Sequence, residues 1–206
     1  SWGSNSGGHD IGEGNTNYSN SINKGTGLQD NLIIHTPIST ARIFKNQYTY
    51  RDCNELAKML GSLRYSQPKG PGGNPMPRRT AWFTRAPCVC SYSYGCFNIK
   101  PQQMPSWLGE LLNQLSRYCP DNPTFNSVNI NCYDHHQHGV QWHSDDEKLF
   151  QATINPTSIV SLSIGSSRTF QIRSNTQHTI TEVVLNAGDV LTMEGLFQKE
   201  FQHRLP

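Results

Sequence analysis

At 206 residues the chain is long enough to bury one sizeable core, so it needs neither a disulfide framework nor a structural metal to hold together. No apolar run reaches bilayer length and the N-terminus lacks the charged-then-apolar pattern of a secretory signal, which argues against membrane insertion and leaves a formal charge of +2 that excludes nothing by itself. Six cysteines at irregular spacings in a chain of this size read as reduced thiols of a reducing compartment.

Residues 1 to 30 contain seventeen Gly, Ser or Asn and almost nothing that could build a core, so they are expected to form a disordered leader without chemistry, His9 included. The start at Ser1 is expected to mark a processed product, a polyprotein piece or a trimmed chain. From Asn31 the composition becomes mixed, and "YRDCNELAKMLGSLRY" places Leu56, Met59, Leu60 and Leu63 on one helical face. Glycines and prolines in "KGPGGNPMP" break all periodicity and predict a loop between Gln67 and Pro77. Between Leu56 and Gly109 lie seven basic residues and no acid, a segment that could face phosphates. Cys88, Cys90 and Cys96 could supply three zinc ligands, yet no fourth has paired spacing, and buried thiols beside a strand are the expectation. After Pro105, Trp107, Leu108, Leu111, Leu112 and Leu115 make a second helical stripe.

The period then falls to two. Val128, Ile130 and Cys132 alternate with polar neighbours in "SVNINCY", and "TSIVSLSIG", "RTFQIR", "TITEVVL" and "DVLTMEG" read as further short strands, with "LNAGD" at 185 to 189 as a turn. Helices followed by a run of strands predict an α+β domain over residues 31–206, two helices supporting a sheet sandwich or jelly roll. There is no internal repeat.

"YDHHQHGVQWHSDDE", residues 133 to 147, concentrates four histidines and three consecutive acids. In His143-Ser144-Asp145 the two outer residues share one side of a strand, so an imidazole nitrogen and a carboxylate oxygen could meet at one ion. His203 in "EFQHRLP" is the candidate third ligand, and two histidines with one carboxylate leave coordination positions open, as in non-haem Fe(II) oxygenases. A bare H-x-D is also what an exposed polar strand end looks like. His135, His136 and His138 precede Gly139 and read as a solvated loop, and His35 and His178 as surface residues.

"NCYDHHQHGVQWHSDDE", "SLSIGSSRTFQIR" and "LTMEGLFQKEFQHRLP" together resemble the AlkB family of Fe(II)- and 2-oxoglutarate-dependent dioxygenases, closest to its eukaryotic branch that repairs alkylated DNA and RNA. "PRRTAWF" at 77 to 83 and "YSYG" at 92 to 95 extend the likeness, which runs from about Ile33 onward. The resemblance implies a double-stranded β-helix with Fe(II) held by His143, Asp145 and His203, and with Asn131 and Tyr133 hydrogen-bonding 2-oxoglutarate. It places Glu147 near the substrate base and Trp82, Tyr92 and Tyr94 in the nucleotide lid and pocket, where aromatic faces suit a flipped base, although ordinary core packing accounts for these three nearly as well. Arg78 and Arg79 become candidates for phosphate contact. Arg168 would line the barrel mouth without a firm role.

The family also carries a C-terminal R-x-N-x-[ST]-x-R motif whose first arginine pairs with the distal carboxylate of 2-oxoglutarate. Pro206 comes three residues after His203 and Arg204 is not at that position, so the sequence is expected to be a piece of a longer protein or to lack this anchor and one closing strand. The function implied is oxidative demethylation of N-alkylated bases in DNA or RNA, of the 1-methyladenine and 3-methylcytosine type. With Fe(II) as cofactor, 2-oxoglutarate and O2 are consumed, and formaldehyde, succinate and CO2 released, by a monomer working in nucleus or cytoplasm. The alternatives are an AlkB-fold binding or structural module without turnover, and a dioxygenase acting on a protein or lipid.

Overall fold

The structure is a computed structural model and describes the backbone of residues 2–3 and residues 30–206. The elements in chain order are β1 (Trp2–Gly3), β2 (Asn31–His35), β3 (Ser39–Phe44), α1 (Tyr50–Gly61), β4 (Arg79–Thr84), β5 (Tyr92–Tyr94), β6 (Phe97–Ile99), β7 (Gln102–Gln103), α2 (Ser106–Ser116), β8 (Ser127–Cys132), β9 (Val140–His143), β10 (Thr157–Leu162), β11 (Arg168–Ser174), β12 (Ile180–Leu185), β13 (Val190–Gly195), α3 (Phe197–Glu200) and β14 (Phe201–Leu205). Apart from Trp2 and Gly3, whose backbone pairs with β8 at Ile130 and Asn129, and Asp30, whose carboxylate lies 3.2 Å from Arg42 Nε, the expected leader lies outside the described residues.

Two antiparallel sheets, β10-β13-β3-β2 and β12-β11-β14-β9, are joined by one apolar cluster. Ala41 and Ile43 of β3, Ile159 of β10 and Leu191 and Met193 of β13 belong to it, with Phe170 and Ile172 of β11 and Phe201 and Leu205 of β14 from the other sheet. This layering is consistent with a double-stranded β-helix. The order of elements differs from the sequence expectation of helices first and strands after. Strands β2 and β3 precede α1, and β3 is an inner strand whose partner β13 is about 150 residues away in sequence, as the pairing of Met193 with Ala41 shows. Strand β2 is an edge with no fully buried residue, and β3 owes its inner place to pairing with the distant β13, so neither announces itself locally.

A second cluster buries Leu56 and Leu60 of α1 and Leu108, Leu111, Leu112 and Leu115 of α2 with Ala81 and Phe83 of β4 and Val128 and Ile130 of β8. Helix α1 starts where Thr49 and Asp52 cap each other, the Thr49 hydroxyl accepting from the Asp52 amide at 3.2 Å and the Asp52 carboxylate from the Thr49 amide at 3.0 Å. It ends at Gly61, so Leu63 reaches the same cluster from a turn and not from a longer helix. The β4–β8 pair hydrogen-bonds over six residues, from Arg79↔Cys132 to Thr84↔Ser127. Its other face turns toward the cavity described below.

The 185–189 turn packs directly on the chain entering α1. Gly188 has φ +87°, its carbonyl accepts from the Gln47 amide at 2.9 Å, and a Cβ there would lie 2.2 Å from the Tyr48 carbonyl oxygen. Beside it, fully buried Asp189 accepts from Lys45 Nζ at 2.8 Å and from the amides of Asn46 and Asn186 at 3.0 and 2.8 Å. Gly188→Ala combines left-handed strain with a backbone clash and is expected to lower unfolding free energy by at least about 2 kcal/mol, read by denaturant titration.

Candidate metal centre and its cavity

Strand β14 alternates inward Phe201, His203 and Leu205 with outward Gln202 and Arg204. Its partner β9 pairs His143 with His203 and Val140 with Leu205, two intervening residues against one, so a β-bulge at Gln141–Trp142 brings both His143 and Val140 to the inner face. The two imidazole centroids are 4.2 Å apart. Asp145 is not on the strand, contrary to the i, i+2 expectation, because β9 ends at His143. The loop beyond β9 turns the carboxylate back instead, placing its oxygens 3.8 Å from His143 Nε2 and 3.6 Å from His203 Nε2. Among the described residues, these three form the one group of His, Cys, Asp or Glu donors that could share an ion, with donor atoms all within 4.8 Å.

Two bonds hold that loop. The Asp145 amide donates to Gln198 Oε1 at 2.9 Å and the Ser144 hydroxyl to the Phe201 carbonyl at 2.9 Å. Gln198 is 2% exposed, on α3, and was not singled out by the sequence; nothing in "FQKE" distinguishes it from a surface glutamine. Gln198→Ala is expected to weaken Fe(II) binding by about 10- to 100-fold, as loss of a supporting hydrogen bond does at other metal sites, measured by anaerobic Fe(II) titration.

The donor chemistry suits a cation. His143 Nδ1 lies 2.8 Å from the Gln141 carbonyl, which only accepts, so Nδ1 is the donor there and Nε2 is the atom turned to Asp145. Burial, with His143 beside it, holds His203 well below its ordinary pKa, leaving a neutral ligand. Burial pushes the Asp145 carboxyl up despite the opposing pull of His143. Two imidazoles and a desolvated carboxylate converge, among the described residues without a bridging lysine or arginine, the arrangement a divalent metal relieves.

The triad opens into a cavity lined also by Asn129, Asn131, Tyr133, Trp82, Tyr92 and Phe150. Val128 and Ile130 face the helices, so Asn129, Asn131 and Tyr133 share the opposite side, Tyr133 lying one residue past β8. Asn131 accepts from Arg78 Nε at 3.0 Å, and the Arg168 guanidinium lies 5.4 Å from the Tyr133 ring centre. Arg168 also donates to the carbonyls of His138 and Pro206 at 2.8 and 2.9 Å, tying the histidine loop to the end of β14.

Aromatic side chains make the opposite wall. Trp82 is 1% exposed, stacks on Tyr92 with centroids 5.1 Å apart, and donates its indole N–H to the Cys90 carbonyl at 2.7 Å. The Tyr92 hydroxyl donates to Glu147 Oε1 at 2.7 Å; Glu147 Oε2 is buried without a hydrogen bond, and burial raises this carboxyl to about 7. Half-exposed Tyr94 meets His143 edge-on at 5.8 Å. Phe150, 6.2 Å from Trp82, was not anticipated from the sequence.

The adjacent arginines diverge. Arg78 is buried beside Asn131 and Tyr94, whereas Arg79 points to the other side and pairs with Asp134 at 2.5 Å. Arg85 binds the Gly109 carbonyl on α2, and only Arg64, Lys69, Lys100 and Lys58 of the acid-free segment are exposed. That segment is therefore no single phosphate-facing patch. Exposed His135 and His136 lie in the loop after β8, and His35 and His178 are exposed. Cys90 and Cys96 are exposed and Cys88 half-buried, which corrects the expectation of buried thiols: they occupy the loop before β5 and the turn after it, outside the packed strands.

Residues 40–206 match the 2OG-Fe(II) oxygenase superfamily. The chain is 37% identical over 142 residues to the mouse alpha-ketoglutarate-dependent dioxygenase alkB homolog 3, covering 64% of this chain and 46% of that protein. The human alkB homolog 3 is likewise 37% identical over 142 residues, covering 63% and 46%. The chain thus spans about half the length of the curated relatives it matches. The solved structure of OsALKBH1 shares the fold, with a TM-score of 0.52 at 14% identity over 80% of this chain and 84% of that one. With the His143, Asp145 and His203 donors at the head of a cavity between two facing sheets, these likenesses place the chain in the 2OG-Fe(II) oxygenase superfamily, as a member of its AlkB family.

Proposed function

We propose that the chain is an Fe(II)- and 2-oxoglutarate-dependent oxidative demethylase of N-alkylated bases in DNA or RNA, of the 1-methyladenine and 3-methylcytosine type. The observation that carries this reading is the continuity of the donor triad with an aromatic wall that ends in a buried carboxylate. His143, Asp145 and His203 would hold Fe(II), which supplies O2 activation coupled to oxidative decarboxylation of 2-oxoglutarate to succinate and CO2.

The chain's own residues set the rest. Arg78 occupies the Asn131 carbonyl oxygen and so turns the amide nitrogen of Asn131 outward as a donor for a carboxylate, with Tyr133 beside it on the same face. A methylated base, once out of its stack, enters against Tyr94 and the Tyr92–Trp82 wall. Tyr92 orients Glu147 by its first oxygen and leaves the second for the polar edge of the base. The apolar wall keeps water from the methyl group. Exposed Arg64, Lys69 and Lys100 are the remaining phosphate contacts of the acid-free segment. Among the described residues no helix is long and apolar enough to cross a membrane; the free cysteines suit a reducing compartment, and the reading puts the chain, as a monomer, in nucleus or cytoplasm.

Succinate formation tests the substrate class. A methylated oligonucleotide should stimulate it several-fold over the unmethylated sequence; equal rates with both would point to a protein or lipid substrate and sink the proposal.

A further inference from the structure

Outside the cavity, the chain brings two nucleophilic side chains together with no role in the reading above. Cys88 Sγ and Cys90 Sγ are 2.9 Å apart, in the loop between β4 and β5. A disulfide bond is about 2.05 Å long, so the sulfurs need to move less than about 1 Å to bond. The backbone already favours the approach: Cys88 N donates to the Arg85 carbonyl at 2.9 Å, and the carbonyls of Cys88 and Cys90 accept from Thr84 Oγ1 at 2.8 Å and Trp82 Nε1 at 2.7 Å. Thr84 and Trp82 are alternate residues of β4, so this two-residue period holds both cysteines on one side of the strand. Cys90 is exposed and Cys88 half-buried, leaving the pair open to small oxidants.

We propose that Cys88 and Cys90 are a reversible oxidation site, closing to an intramolecular disulfide with a peroxide as oxidant. One thiol takes an oxygen from hydrogen peroxide to become a sulfenic acid, releasing water; the second displaces the hydroxyl as another water. Two S–H bonds are lost, one S–S bond forms, and the peroxide is reduced to two waters. The Cys90 thiol is held above its ordinary pKa, chiefly by the hydrogen bond with the Cys88 sulfur. Closure draws on the Cys90 carbonyl and so reaches Trp82, the wall of the cavity. The site does not depend on the demethylase reading, because its chemistry needs neither iron nor substrate.

The test is peptide mapping of the full chain, reduced and then treated with a few equivalents of hydrogen peroxide. The segment holding Cys88, Cys90 and Cys96 should lose two hydrogens, recover them with a thiol reductant, and keep this behaviour in Cys96→Ser. Cys88→Ser and Cys90→Ser should each abolish it. Oxidation should also shift tryptophan emission in Cys96→Ser and not in Cys88→Ser. Irreversible addition of two or three oxygens, a bridge to Cys96, or a disulfide-linked dimer as the main product would overturn the proposal.

Discussion

Asp145→Ala is expected to weaken Fe(II) binding by more than about 100-fold, beyond the loss that removing a mere supporting residue produces. Succinate formation should fall to background. The fold should survive. The loop is held by the Asp145 amide on Gln198 and the Ser144 hydroxyl on the Phe201 carbonyl, and neither bond uses the carboxylate. Burial raises the Asp145 carboxyl, so its charged form opposes folding when no cation is present, and alanine removes that cost. Metal-free Asp145→Ala should therefore melt no lower than the metal-free parent. Fe(II) at 100 times its dissociation constant should stabilise the parent by about 2.7 kcal/mol and leave the variant unmoved, a contrast that thermal melts with and without metal will show.

Trp82→Ala should have the second large effect, on stability and substrate use together. Removing a fully buried tryptophan typically costs about 3 to 5 kcal/mol, a large share of the 5 to 15 kcal/mol that holds a domain. Here it also strips the Cys90 carbonyl of its donor and removes the surface on which Tyr92 rests. Since Tyr92 positions Glu147 through its hydroxyl, the methylated base should lose its wall and its orienting carboxylate at once. Trp82→Phe separates the contributions: it keeps much of the stacking, loses the indole N–H, and should cost about 1 to 3 kcal/mol. Both variants should still bind Fe(II), because Trp82 carries no metal donor. Denaturant titration beside iron binding and oligonucleotide turnover distinguishes a damaged wall from a damaged metal centre.

The two helical stripes and several late strands could be read in the sequence because each buries one face. Leu56 and Leu60 or Leu108 and Leu112 recur at helical spacing, and Val128 and Ile130 alternate with Asn129 and Asn131. Strand β4 hides because both faces are buried, Ala81 and Phe83 in the helical core and Trp82 in the cavity wall, so no polar alternation marks it. The metal donors could be found as residue types, but their geometry could not. The bulge that turns His143 inward and the Gln198 bond that returns Asp145 are tertiary events with no local periodicity. The same holds for Arg78 and Arg79: neighbours in sequence, they separate across β4 into a buried partner of Asn131 and an outer partner of Asp134.

The most direct test of the central claim is mass spectrometry of 1-methyladenine and 3-methylcytosine oligonucleotides, as DNA and as RNA, incubated with this chain, Fe(II), 2-oxoglutarate and O2. The account predicts loss of one methylene mass from at least one of them, dependent on 2-oxoglutarate and absent with His143→Ala. Unchanged oligonucleotides, with the protein folded and iron bound, would contradict it.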